Sequence, residues 1–194
     1  MSITLRAILF LSIIFFLSAF VVREMASSKL AGHGETIDEI IVRESIDPAT
    51  IEVLISKKKR TLSLVAEGKV LKSYKAVLGQ VPEGDKFMQG DLKTPEGNFK
   101  VRAKYPHSEW HKFIWIDYPN EESRKKFRTR LQQGDIPEDA KIGGEIGIHG
   151  VPTGMDLWID LGSDWTLGCI ALKNNAVDEV YKYVNEGTPI RIEP

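Results

Sequence analysis

From Ile51 onward the apolar positions fall into short runs with strand-like spacing. IEVLIS, TLSLVAEG and KVLKSYKAVLG alternate or run apolar over strand lengths, interrupted by the charged run Lys57 to Arg60 and by Glu67-Gly68. This spacing predicts a meander of antiparallel strands, with the charged run as a solvated turn. A Gly-rich, charged loop over 79–95 comes next, and then two further strand patterns, GNFKVRAK from Gly97 and KFIWIDY from Lys112. Between Asn120 and Gln133 charge dominates, with Phe127 and Leu131 four apart, which predicts an inserted surface helix with its basic face in water. The segment Glu145 to Val151 is strand-like and Gly-rich. Val177, Val180, Tyr181 and Val184 recur at helical spacing, with Asn174 or Asn175 to start the helix and Gly187 to end it. PIRIEP supplies a final strand. The fold class read from this pattern is mainly β, with one or two helices.

The chain before Ile51 has a different character. After Arg6, the sixteen residues Ala7 to Val22 carry no charge. A membrane span takes about 20 apolar residues and a signal-peptide core about 7 to 15, so this run lies between the two. Residues 1–25 therefore read as a signal anchor, with Arg6 kept inside, or as a signal peptide cut at the small-x-small triplet Ala26-Ser27-Ser28. Both readings place the rest of the chain outside the cytoplasm, held at the membrane if the segment is kept. Residues 26–48 are polar and acidic and read as a stalk, in which Ile37 to Val42 forms either a helical turn or an edge segment. Residues 49–194 form the folded domain.

Charge narrows the partners. Twenty-six Lys and Arg stand against 27 Asp and Glu, a net charge of −1, which gives no basic footprint for nucleic acid. The 194 residues contain one cysteine. In an exported protein that leaves a reactive thiol, an intermolecular pairing or an inert buried side chain.

Two segments concentrate chemistry: Ile146-Gly147-Ile148-His149-Gly150, and Asp164 through Leu172 around Cys169. A nucleophilic thiol needs a neighbouring base and donors for the developing oxyanion. His149 can be the base, at the end of an apolar strand among glycines. Gly168 lets the backbone approach a substrate, and the N–H groups of Gly168 and Cys169 can hold the oxyanion. Activation of this kind implies a thiol that titrates below ~8.5. Asp156, Asp160, Asp164 or a backbone carbonyl can orient His149. Of the other histidines, His33 lies in the stalk, while His107 and His111 flank Trp110 and at most line the cleft. No C-x-x-C or H-E-x-x-H spacing points to a metal.

His149-Gly150, followed by Thr166-Leu167-Gly168-Cys169 at an offset of 16 (166 − 150), resembles the L,D-transpeptidase catalytic domain (YkuD-type). Thr94-Pro95-Glu96-Gly97-Asn98-Phe99 is similar to the family's upstream T-P-x-G-x-F. The resemblance runs from about Ile51 to Ile192. It implies a β-sandwich of mixed sheets with a lateral helix, and no metal or organic cofactor. It also implies that Cys169 attacks the diaminopimelate carbonyl of a peptidoglycan tetrapeptide stem and releases D-alanine. An amine, from another stem or from a lipoprotein lysine, then takes the acyl group. Thr166 and Gly168 would shape the oxyanion site, with Gly150 and Leu167 beside the substrate. Many members carry His-Gly-Cys with Arg or Asn two residues after the cysteine; here Leu167 and Ala171 stand in those places. Two other functions fit the same residues: an L,D-carboxypeptidase or amidase, in which water resolves the acyl-enzyme, and a non-catalytic module that tethers the membrane to the wall.

Overall fold

A computed structural model describes residues 35–194. Arg6, the apolar run, Ala26-Ser27-Ser28 and His33 lie outside the described residues. Among the described residues no helix is long and apolar enough to cross a membrane.

The chain divides into one unit ending at Glu44 and another from Ser45 to Pro194. In the first, helix α1 spans Ile37–Glu44. Thr36 and Glu39 start it as a reciprocal capping box: the Thr36 N–H donates to the Glu39 carboxylate at 2.8 Å, and the Glu39 N–H donates to Thr36 Oγ1 at 3.3 Å. Of the two readings open for Ile37 to Val42, the helix is the one formed.

The second unit carries strands β1 (Glu52–Ser56), β2 (Thr61–Ala66), β3 (Lys69–Lys75), β4 (Gly97–His107), β5 (His111–Ile116), β6 (Gly147–His149), β7 (Ile170–Ala171) and β8 (Pro189–Glu193). Helices α2 (Glu121–Gln133), α3 (Leu157–Leu161) and α4 (Asn174–Tyr183) lie between them. The eight strands form one mixed sheet in the order β3-β2-β1-β8-β4-β5-β6-β7. β1 to β3 make the antiparallel meander that the pattern predicts. β8 runs parallel to β1, and β7 parallel to β6. β4 serves both halves: Gly97 to Lys100 pair with β8, and from Val101 the strand pairs with β5 across a bulge. Such a bulge bends the strand. Just past β3, Val77 bridges Ala171 and Gly79 bridges Thr166. The far edge of the sheet is thereby tied back to its beginning, and the segment bearing Cys169 is held from both sides.

Period-2 positions supply most of the core. Val53, Ile55, Leu62, Leu64, Ile114, Ile116, Ile190 and Ile192 are at most 2% exposed, and Val177, Val180 and Val184 join them at helical spacing with none.

Three local expectations are corrected. The run Lys57 to Arg60 is not a solvated turn. Lys57 is buried, donating to the carbonyls of Gly84 (2.5 Å) and Thr94 (3.0 Å) and pairing with Glu96 at 2.8 Å. Arg60 pairs with Asp164 at 2.8 Å, and only Lys58 and Lys59 are exposed. The basic face of α2 is likewise engaged: Lys126 and Arg130 reach Asp85 at 3.3 and 3.5 Å, and the Arg130 guanidinium covers the Phe87 ring at 3.7 Å. These contacts latch α2 onto the loop over 79–95. Finally, α4 ends at Tyr183 rather than at Gly187, which lies at φ 88° in the turn into β8.

Candidate active site

β6 places His149 between two partners in register: Phe113 on β5 and Ala171 on β7. Cys169 precedes Ala171 by two residues and lies just ahead of β7. Cys169 and His149 both line a cavity of about 980 Å³, with Lys86, Glu145, Trp165 and Leu167. Thr166 and His107 also line it.

Aromatic rings enclose the imidazole. Phe113 lies nearly parallel to it at 5.9 Å and 3°, Trp110 packs at 5.2 Å, and Trp165 meets it edge-on at 5.9 Å. His149 is 4% exposed. Burial is the main reason its pKa falls to about 4; the Gly150 carbonyl pulls it back in part, and His107 lowers it further. His149 Nδ1 lies 2.7 Å from the Gly150 carbonyl oxygen. A carbonyl only accepts, so Nδ1 carries the proton and Nε2 keeps its lone pair.

That carbonyl, rather than an aspartate, orients the ring. Asp164 accepts from Arg60 and from the Leu78 N–H, each at 2.8 Å. Asp156 accepts from the Asn174 N–H at 2.8 Å, and Asp160 pairs with Lys173 at 2.6 Å.

The Cys169 thiol faces the Glu145 carbonyl at 3.5 Å. Glu145 holds that carbonyl from φ 57°, a left-handed backbone uncommon for a side-chain-bearing residue. Burial pushes the thiol pKa up, against the opposing pull of the Gly147 N–H and the Lys86 charge. A thiol titrating below its ordinary value, expected from the sequence, is therefore not what this site holds at rest. Thiol and imidazole are both neutral near pH 7.

The surrounding glycines have structural roles. Gly168 lies at φ 140°, and a Cβ there would meet the Lys93 carbonyl oxygen at 2.7 Å. Its missing side chain makes room for that carbonyl. Its N–H donates to Thr166 Oγ1 at 3.1 Å, and the Thr166 hydroxyl donates to the Cys169 carbonyl at 2.7 Å. Of the two N–H groups expected to face an oxyanion, Gly168's is thus engaged. Gly150 donates to the Trp110 carbonyl at 3.1 Å, and a Cβ on it would collide with Asn174 Oδ1. Gly150 is a packing residue beside the site. Leu167 is 72% exposed on the cavity rim.

Thr94 of the upstream motif is fully buried, and its Oγ1 accepts the Gly79 N–H at 3.0 Å. His107 lines the cavity, while His111 pairs with Asp178 at 2.9 Å instead. The indole N–H groups of Trp115 and Trp165, two residues of the cavity wall, are buried without an acceptor.

Sequence reasoning missed the aromatic enclosure and Lys86. Alternation along β5 could have placed Phe113 beside His149. Lys86 shows no sequence signal, because its burial depends on Asp91. Burial alone would raise the Asp91 pKa, but the Lys86 ammonium and the N–H groups of Met88, Lys93 and Phe87 outweigh it and keep the carboxyl below the usual range.

The family described as the L,D-transpeptidase catalytic domain (YkuD) matches residues 50–192. YafK of Escherichia coli strain K12, itself provisionally named an L,D-transpeptidase, is 28% identical over 148 residues, 73% of this chain and 50% of that protein. Among solved structures, Bd1075 of Bdellovibrio bacteriovorus matches with a TM-score of 0.52 at 22% identity, over 77% of this chain and 49% of that one. Pgp2 of Campylobacter jejuni, described as a helical cell shape determining protein, matches with a TM-score of 0.50 at 25% identity, over 74% of this chain and 47% of that one. The chain spans about half the length of these relatives.

Proposed function

This chain belongs to the L,D-transpeptidase catalytic domain family, and from that premise we propose that it is a cysteine acyltransferase acting on peptidoglycan stem peptides. The observation that carries the reading is that Cys169 and His149 line one cavity, with Nδ1 held by Gly150 so that Nε2 is the available base.

Because the resting pair is neutral, the proton moves as the new bond forms. His149 Nε2 takes the thiol proton while Sγ attacks the carbonyl carbon of the stem's diaminopimelate. The carbonyl π pair moves to oxygen, which the Cys169 N–H stabilises. Collapse of the adduct breaks the peptide C–N bond, His149 returns its proton to the departing amine, and D-alanine leaves a thioester on Cys169. An acceptor amine, from a second stem or a lipoprotein lysine, attacks the thioester. It gives its proton through His149 and restores the thiol. Thr166 and Gly168 support this step by fixing the backbone at Cys169, and Leu167 offers the substrate an apolar contact. Residues 1–25 act as a signal anchor or as a cleaved signal peptide, and 26–48 form a stalk ahead of the wall-facing domain, residues 49–194.

Product analysis tests the reading. The protein is incubated with disaccharide-tetrapeptide, with and without an added amine. Loss of D-alanine together with a linked dimer or amine adduct, absent in Cys169→Ala, is the expected result. D-Alanine loss with only hydrolysed stem would make the enzyme a carboxypeptidase. Retention of D-alanine, with wall binding unchanged in Cys169→Ala, would make it a binding module.

A further inference from the structure

Lys86 is a buried charge that the reaction above leaves unused. Its side chain is 3% exposed, yet it forms part of the wall of the cavity that holds Cys169 and His149. Among the described residues lining that cavity it is the one permanent cation, since the others are histidines, aromatics, aliphatics, glycines, a threonine, a glutamine, a glutamate and the cysteine. An ammonium has three N–H donors. Lys86 Nζ uses one, on Asp91 Oδ1 at 2.6 Å.

Asp91 is not committed to Lys86 alone. Its carboxylate also accepts the N–H groups of Phe87 at 2.5 Å, Met88 at 3.0 Å and Lys93 at 3.1 Å. With four donors on one carboxylate, Lys86 shares its acceptor and keeps two N–H donors for another. It is also braced from behind, where Arg130 donates to the Lys86 carbonyl at 3.3 Å. A buried ammonium with unmatched donors is costly unless an acceptor arrives. The strand after the nucleophile offers no competing group, because Ala171 is fully buried.

We propose that Lys86 binds a carboxylate of the acyl-donor stem peptide and so decides which peptide bond lies over Cys169, an inference that rests on the peptidoglycan reading above. Lys86 is a positioning and specificity residue and takes no part in proton transfer. The two carboxylates flanking the bond to be cut are the candidates, one at the terminal D-alanine and one on the diaminopimelate side chain. Both present the same chemistry to Nζ.

The test measures calorimetric binding to the Cys169→Ala protein. Three tetrapeptides are compared: unmodified, amidated at the terminal D-alanine, and amidated at the diaminopimelate carboxyl. Each is measured with Lys86 and in the Lys86→Arg and Lys86→Met backgrounds. With Lys86, one of the two amidations weakens binding about tenfold to a hundredfold, the worth of a charge-assisted hydrogen bond, and thereby identifies the carboxylate. Lys86→Arg retains that penalty, whereas in Lys86→Met the same amidation has no further effect. Binding with Lys86 that ignores both amidations, or full discrimination in a folded Lys86→Met protein, overturns the assignment. Should Lys86→Met fail to fold, the peptide comparison with Lys86 and Lys86→Arg still decides. If the Cys169→Ala protein binds none of the three, the peptidoglycan reading itself is wrong.

Discussion

His149 Nδ1 sits 2.7 Å from the carbonyl oxygen of its own neighbour, Gly150, and this one contact fixes which imidazole nitrogen is free. Its consequence for catalysis is a pH dependence. Burial among Trp110, Phe113 and Trp165 holds the His149 pKa at about 4, so the base form persists well into acid. kcat/KM should therefore fall on the acid side near pH 4 rather than near the ordinary ~6.5. The raised Cys169 pKa predicts that iodoacetamide labelling rises only above the ordinary thiol range. His149→Ala should cost about 10²- to 10⁴-fold in turnover, the usual worth of a general base. An acid limb near pH 6.5 would show an imidazole far more solvated than this one.

The same burial links His149 to stability. The folded-state pKa is depressed, so between ~6.5 and about 4 the unfolded chain binds a proton that the native protein refuses. Stability from this group is complete above ~6.5 and declines as pH falls to about 4, by on the order of 3 kcal/mol in all. Denaturant midpoints of the wild type and His149→Phe, measured across this range, should differ in pH slope, with the steeper fall in the wild type. Identical pH slopes in both proteins would contradict it.

The Thr166 hydroxyl couples Gly168 to Cys169, accepting from one and donating to the other. Thr166→Val strands both groups and should destabilise by about 1–3 kcal/mol while reducing turnover, and Thr166→Ser should restore both. Gly168→Ala drives a Cβ toward the Lys93 carbonyl at φ 140° and should be worse than Thr166→Ser on both measures. Wild-type behaviour of Gly168→Ala would mean that the loop has slack the packing does not show.

Lys57 ties three loop groups together, and its loss should be felt throughout 79–96. Lys57→Ala leaves the Gly84 and Thr94 carbonyls and Glu96 without their cation. A cost of about 3 kcal/mol, or a Tm lowered by roughly 10 °C in thermal melts, is expected. A change under about 2 °C would place Lys57 among ordinary surface lysines.

The sequence carried this site to different depths. Period-2 runs from Ile51 are legible because every core strand hides alternate residues, and the helix over 174–183 because Val177 and Val180 share a face. His149 and Cys169 stand out through their glycine-rich surroundings. The parallel pairing of β6 with the two-residue β7 is not legible, since it joins segments that no local period connects. Nor is the burial of Lys57 and Lys86, which depends on carboxylates and carbonyls brought in from elsewhere in the chain. Gly168 was legible as a glycine that something must approach. Only the fold shows that the approaching group is the Lys93 carbonyl.

Peptide mapping of the acyl-enzyme tests the central claim most directly. The protein is mixed with disaccharide-tetrapeptide, quenched in acid within seconds, and digested for mass spectrometry. The account predicts a stem lacking D-alanine in thioester linkage to Cys169, with D-alanine released in step, and neither event in Cys169→Ala. Release of D-alanine at the wild-type rate from Cys169→Ala, or an acyl group found on any other residue, would contradict it.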